Sequence, residues 1–171
     1  MKLKRLIHGK NGFTLIEMVV TLAITGIIGV GTAAASYHVL NQSNSNTDHT
    51  SASQHALNAV HWISRDVQMA QTVSPEGVSG FPLTLQWVAW DNTDHEIVYT
   101  IDGGTLIRSY SVDGGSASNA VIAQYINLDV EMTSCGFSEG VLTLKITTTV
   151  GEGSRAESVS EVREIVPRPG L

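Results

Sequence analysis

The chain of 171 residues has a single cysteine, Cys135. One thiol excludes an intrachain disulfide and any multi-cysteine zinc site. The plain reading of Cys135 is a small apolar residue at the end of a strand. Basic residues are scarce in the body of the chain: Lys2, Lys4, Arg5 and Lys10 all precede Phe13, and the next is Arg65. After Gly12 there remain 6 Lys and Arg against 16 Asp and Glu. That balance argues against binding nucleic acid or anionic lipid through bulk charge. No serine sits in a G-x-S-x-G context, and no acid pair stands out as general acid and base. Neither catalysis nor a cofactor is expected. The histidines offer no ligand pair: His49, His55 and His61 stand six apart on a helical stretch, which turns consecutive rings to different faces. His8 lies near the start of the chain and His38 at the edge of an apolar run.

That run, Phe13 to Leu40, is what the chain does have. As a helix its length is about 42 Å, more than the ~30 Å hydrocarbon core of a bilayer. Basic residues before it, and none again until Arg65, place the N-terminus in the cytoplasm and send the rest across. Glu17 breaks the pattern. An unpaired acid near the bilayer centre costs about 2.5–3.5 kcal/mol on insertion scales. Lying within a turn or so of the boundary, Glu17 is able to reach the headgroups, but that leaves its neighbours unexplained. Two other patterns in the run mislead. Gly29-Val30-Gly31-Thr32-Ala33-Ala34 has the G-x-G-x-x-A spacing of a dinucleotide loop, yet it lacks the strand and turn such a loop needs. Small residues for close helix packing are the better account. Ala33-Ala34-Ala35 before Ser36 is similar to a signal-peptidase site, but the apolar region is too long and carries a charge.

Gly12-Phe13-Thr14-Leu15-Ile16-Glu17, after a short basic leader and before an apolar helix, resembles the processing site of type IV pilins and pseudopilins. The resemblance implies cleavage by a prepilin peptidase between Gly12 and Phe13, then N-methylation of Phe13 by the peptidase/methyltransferase. It also implies that Glu17 neutralises the N-terminal ammonium of an adjacent subunit in a packed helical core. Opposite charges in apolar surroundings attract strongly, and each is costly alone. Glu17 would then set the axial register of assembly. One minor subunit of the family typically lacks this acid, so its presence argues against that role.

Beyond the run, Asn41 to Ser53 is polar and rich in residues that bond their own backbone, and reads as a frayed or locally melted section of helix. Ala56, Val60, Ile63, Val67 and Ala70 then repeat at spacings of four and three, with Leu57 widening the stripe, as in an amphipathic helix. Ser64, Arg65 and Asp66 fall off that stripe and read as solvated; Pro75 and Gly77 end the element. From Phe81 the period becomes two. "FPLTLQWVAWD" alternates, and "EIVYTIDGGTLIRSYSV" reads as two strands joined by a tight turn at Asp102-Gly103-Gly104-Thr105. "AVIAQYINLDVEM", "GVLTLKITTTV" and "AESVSEVREIV" read as three more, the last two linked by "GEGSR", before a tail with Pro167, Pro169 and Gly170.

Asp91, Asp94 and Glu96 in "WDNTDHE" offer oxygens to calcium, which some pseudopilins bind in head loops, but their spacing lacks the glycine and the periodicity of an EF-hand. A hairpin turn explains them equally. Trp87 and Trp90, three apart, point to opposite faces of a strand: one belongs to the core, and the other lies either at a neighbouring subunit or under a second packing layer.

The expected fold is α+β: a long N-terminal helix, transmembrane in one half and amphipathic in the other, packed on a mostly antiparallel sheet of five or six strands. The expected organisation is a cytoplasmic leader at 1–12, a transmembrane and filament-core helix at 13–40, a polar section and amphipathic helix at 41–72, and a β-rich head at 73–171. The order of parts over residues 56–112 also resembles minor pseudopilins, above all the J-type subunit of type II secretion, and minor pilins. The implied function is a structural subunit of a pseudopilus or pilus serving secretion, DNA uptake or motility. Its partners would be the prepilin peptidase, other pilin or pseudopilin subunits, an inner-membrane assembly platform and the lipid bilayer. The alternatives are a major pilin, or a surface-tethered or secreted binding module that borrows the export signal.

Overall fold

The computed structural model describes residues 12–77 and 79–168, so the leader as far as residue 11 and the tail beyond residue 168 lie outside the described residues. One helix, α1 (Leu15–Met69), precedes eight strands: β1 (Thr72–Ser74), β2 (Leu83–Val88), β3 (Asp94–Asp102), β4 (Thr105–Val112), β5 (Ser118–Ala123), β6 (Ser134–Ser138), β7 (Val141–Val150) and β8 (Glu157–Ile165). The architecture is α+β, as the sequence leads one to expect. The chain divides into two compact units, 1–43 and 44–171.

In the first unit every described residue from Gly12 to Leu40 is exposed. The threonines in the apolar run turn their hydroxyls back onto their own helix. Thr21 donates to the carbonyls of Glu17 and Met18 (both 2.9 Å), Thr25 to Thr21 (2.8 Å) and Thr32 to Ile28 and Gly29 (both 3.0 Å). Polar atoms satisfied within the helix leave an outer surface suited to lipid or to other apolar helices. Gly29 to Ala34 lie inside the helix, where no phosphate loop can form.

In the second unit, Ala59, Val60, Ile63 and Val67 of α1 share one core with Leu83, Leu85, Ile97, Tyr99 and Leu106 of the first sheet and Leu142, Leu144 and Ile146 of the second. The first sheet is antiparallel with order β1-β2-β3-β4-β5, and the second has order β6-β7-β8. The expected single sheet of five or six strands is therefore two sheets. Two of the strands, β1 and β6, are only three and five residues long, too short to show a period. The expected turn at 102–105 is present, with both Gly103 (φ 54°) and Gly104 (φ 78°) left-handed as a tight two-residue hairpin needs.

Two further expectations are corrected. The section 41–53 is helical throughout rather than frayed. Tertiary contacts outweigh its poor propensity: the Ser45 hydroxyl donates to Glu157 Oε1 at 2.6 Å, Ala52 is fully buried, and its carbonyl accepts from Thr148 Oγ1 at 2.7 Å. The segment read as one strand from Ala120 to Met132 ends as a strand at Ala123. Tyr125 is left-handed (φ 62°), and Asn127 and Asp129 accept from the N–H groups of Asp129 (3.0 Å) and Glu131 (2.9 Å). Those side-chain turns compete with a ladder. The resulting loop covers Thr147, whose hydroxyl bonds the Met132 carbonyl and the Ser160 hydroxyl.

Candidate processing and assembly site

Gly12 and Phe13 are exposed and non-helical, and α1 begins two residues later. Added side-chain bulk at Gly12 would meet nothing within 4 Å. The peptide bond between them is thus presented free of secondary structure, directly before a helix. Thr14 caps that helix. Its hydroxyl accepts from the Glu17 N–H at 3.3 Å, and Glu17 Oε2 accepts in return from the Thr14 N–H at 3.4 Å and from its hydroxyl at 3.5 Å. This is a capping box, Thr-x-x-Glu, which satisfies two of the orphan donors of the first turn.

The box gives Glu17 a physical role within one chain. A carboxylate at the third helical position lies against the positive end of the helix dipole and holds the entry of the chain in place. Only Oε2 takes these bonds; Oε1 has no hydrogen bond among the described residues. The signal is legible in the sequence, a threonine three residues before a glutamate ahead of an apolar run.

A second polar constellation lies between α1 and the first sheet, and here the sequence reading is overturned. Asp66, expected in solvent, is fully buried. Its Oδ2 accepts from the Tyr99 hydroxyl and from Arg108 Nε, both at 2.6 Å. Arg65 Nε stands 3.7 Å from Oδ1, too far for a hydrogen bond, and that oxygen is left without one. Asp66 is displaced about 60° around the helix from Ile63, so it sits at the margin of the buried face rather than outside it. The missed signal is on β4: Leu106, Arg108 and Tyr110 alternate onto the inward face, and a cation there needs an anionic partner. Burial opposes the charge on Arg108, yet the Asp66 carboxylate more than offsets it and holds the guanidinium more basic than usual. Burial, then Asp66, push the Tyr99 phenol well above its ordinary range.

The network continues into stacked rings. The guanidinium of Arg108 lies 5.5 Å from the Trp62 ring and 5.3 Å from Tyr110. The Tyr110 hydroxyl meets His95 Nδ1 at 2.7 Å, and His95 stacks on Trp87 with centroids 5.0 Å apart. Trp87 therefore packs on the core, whereas Trp90 is 98% exposed. Trp90 lies beyond the end of β2, so strand alternation does not set its direction.

The calcium candidates are engaged locally. Asp91 Oδ1 accepts from the Thr93 N–H at 3.2 Å, and Thr93 is the main cause that lowers its carboxyl below the usual range. Glu96 accepts from Gln86 Nε2 at 2.6 Å across the strands, and Asp94 opens β3, its N–H donating to Asp113 Oδ1 at 2.9 Å. No group of three His, Cys, Asp or Glu is placed to hold a metal ion among the described residues. Cys135 lies buried in β6, its thiol donating to the Gly80 carbonyl at 2.8 Å, and burial pushes it up to about 11.

Residues 7–33 match the family model of the prokaryotic N-terminal methylation motif. The chain thus carries the prepilin signal of type IV pilins and pseudopilins, and that signal implies processing by a prepilin peptidase and assembly with other pilins. From residue 15 on, the matched stretch lies in the one helix long and apolar enough, among the described residues, to cross a membrane. No curated protein and no solved structure matches the chain.

Proposed function

We propose that the chain is a type IV pilin-like structural subunit that works by assembly and not by catalysis. It is inserted in the cytoplasmic membrane with its N-terminus inside and its head outside. A prepilin peptidase cuts it between Gly12 and Phe13, Phe13 is N-methylated, and the subunit is drawn into a pseudopilus or pilus. The observation that carries this reading is the methylation motif over residues 7–33, set against a helix whose apolar residues from Leu15 to Leu40 have no cover in the single chain. Within that class we assign it to the minor subunits, on the order of parts over residues 56–112, and so to low abundance in the filament.

In assembly Glu17 meets the ammonium that cleavage creates on a neighbouring Phe13. The cap supports that role: among the described residues only Oε2 takes its bonds, so the other oxygen can accept a neighbour while the cap is kept. The test is the intact mass and N-terminal sequence of the mature protein taken from its native membrane. A chain that starts at methylated Phe13 is expected. One that starts at Ser36 would remove Glu17 and with it the assembly reading. Stoichiometry in sheared filaments separates a minor subunit from a major one.

A further inference from the structure

The inner face of the first sheet is covered by α1 only in part. Ile122, on that face of β5, is buried, but Ala120 and Ser118 are exposed, although the register sets them beside Arg108 and Tyr110 on the same face. Their small side chains leave an open shelf along α1, floored by Arg108 and Tyr110 and bordered by Trp62 and Arg65. Both guanidinium groups gather on one ring: Arg65 Cζ lies 4.3 Å from the Trp62 centroid and Arg108 Cζ 5.5 Å. Arg108 gives its Nε to Asp66, whereas Arg65 makes no hydrogen bond among the described residues and keeps half of its side chain exposed.

Two guanidinium groups stand here against one carboxylate, so the shelf is positive in a body that holds, after Gly12, 6 Lys and Arg against 16 Asp and Glu. Stacking on Trp62 fixes the plane of the Arg65 fork without using its N–H donors. Asp66 Oδ1, buried beside it, stands too far off to take them and is itself left without a bond. An outward fork of this kind matches a carboxylate, which it holds by two parallel bonds. Trp, Tyr and Arg are also the residues that most often carry binding energy at interfaces. The acidic body repels extended polyanions such as nucleic acid or an anionic bilayer, whereas a single acid on a protein surface can reach the shelf. We infer that the Trp62–Arg65–Arg108 shelf binds an aspartate or glutamate side chain of a neighbouring pilin-type subunit other than a second copy of this chain. This rests on the minor-subunit reading above, under which the neighbours of each copy are different chains. An exposed ion pair contributes little by itself, so the contact does not hold two heads together. It selects which subunit stands beside this one, because a like charge in that place costs more than the right one gains.

The test uses the full chain in its native membrane, with Met69 replaced by p-benzoyl-phenylalanine, which cross-links on illumination. Met69 is exposed and one helical turn on from Arg65. The expected adduct joins it to a segment containing Asp or Glu, on a different protein that itself carries an N-terminal methylation motif. Arg65→Gln should lower the yield about threefold or more, Arg65→Lys should restore most of it, and added salt should lower it. The thermal midpoint of the head should stay within about 5 °C of the parent in both variants, which separates a lost contact from a lost fold. Adducts only to lipid, to a second copy or to a segment without an acid overturn the inference, as does a yield that Arg65→Gln leaves unchanged. Filaments that contain the subunit but give no such adduct sink the contact and leave the assembly reading standing. The adduct in membranes that form no filaments does the reverse, and absence of both overturns both.

Discussion

Arg108→Met should be among the most damaging single changes in the head. It removes the cation 2.6 Å from a carboxylate with no solvent exposure, while methionine keeps the length and the apolar stem of the arginine. Breaking a buried pair from one side costs about 3–5 kcal/mol, because the remaining charge stays desolvated. The unit that would unfold spans 44–171; at that size each kcal/mol moves the midpoint by roughly 3–5 °C, so a fall of about 10–20 °C is expected. Thermal unfolding of the full chain in mild detergent, followed by near-ultraviolet circular dichroism of the aromatic rings, reads the shift. The same reasoning predicts that the triple change Asp66→Leu, Tyr99→Phe, Arg108→Met recovers most of the loss, since an apolar replacement of the whole network leaves nothing unpaired. Arg65→Ala should cost less than about 1 kcal/mol, because that arginine is half exposed and 3.7 Å away. A midpoint for Arg108→Met within 3 °C of the parent would refute the argument, since the buried carboxylate would then not depend on the guanidinium.

At the membrane end, Glu17→Gln and Thr14→Ala separate charge from cap. Glutamine still closes a capping box, so Glu17→Gln should insert and be cleaved normally yet fail to enter filaments. Thr14→Ala keeps the charge, weakens the helix start by about 1 kcal/mol, and should enter filaments; equal incorporation of both, measured in sheared material, would count against a register role for the charge. Gly104→Ala should destabilise the head by about 1–2 kcal/mol, because the residue is left-handed (φ 78°) and a Cβ would press on the Ile126 carbonyl at 3.2 Å; chemical denaturation checks it. Alkaline pH should unfold the parent more readily than Cys135→Ala. Burial raises the folded thiol from 9.0 to about 11, so the folded state holds a proton that the unfolded state releases. Stability from this group is whole below pH 9 and is lost as pH rises to 11, by about 2–3 kcal/mol. Parallel denaturation curves for the two proteins across that window would refute it.

What the sequence exposes, and what it hides, follows from how each feature is encoded. The start of the helix at Leu15 and the hairpin at 102–105 are written locally, the one as a long apolar run broken only by Glu17 and the other as two glycines between alternating strands. The methylation motif is local too. The second sheet is harder to read: β6 is only five residues long, too short to show a period, although a two-residue turn at Glu139-Gly140 joins it to β7. The helical state of 41–53 is non-local, since its stability comes from Glu157 and Thr148, over ninety residues away. Asp66 shows the limit most clearly. A helical period drawn through Val60, Ile63 and Val67 puts it off the stripe, and only the inward-facing arginine on β4 says that the stripe must widen to include it.

The two units use carboxylates in opposite ways. Asp66 is buried and fixed by a cation of its own chain, so it contributes the same interaction whether the subunit is alone or assembled. Glu17 is exposed and fixed only by one oxygen to its own helix start, with distances of 3.3–3.5 Å that are long for a charged acceptor. A strong intrachain partner at Glu17 would leave no gain on meeting a neighbour, and an entirely free carboxylate would bear the full cost of an apolar environment. A weak cap lies between these limits. It keeps the acid tolerable in the single subunit while leaving an ammonium in the right axial position as the better partner. Strengthening the cap should therefore impair assembly as surely as removing the charge. Thr21→Lys, which puts a cation four residues on and on the same helix face as Glu17, should be cleaved after Gly12 yet accumulate outside filaments. Unimpaired incorporation of that variant would mean that the carboxylate's free capacity is not what assembly uses.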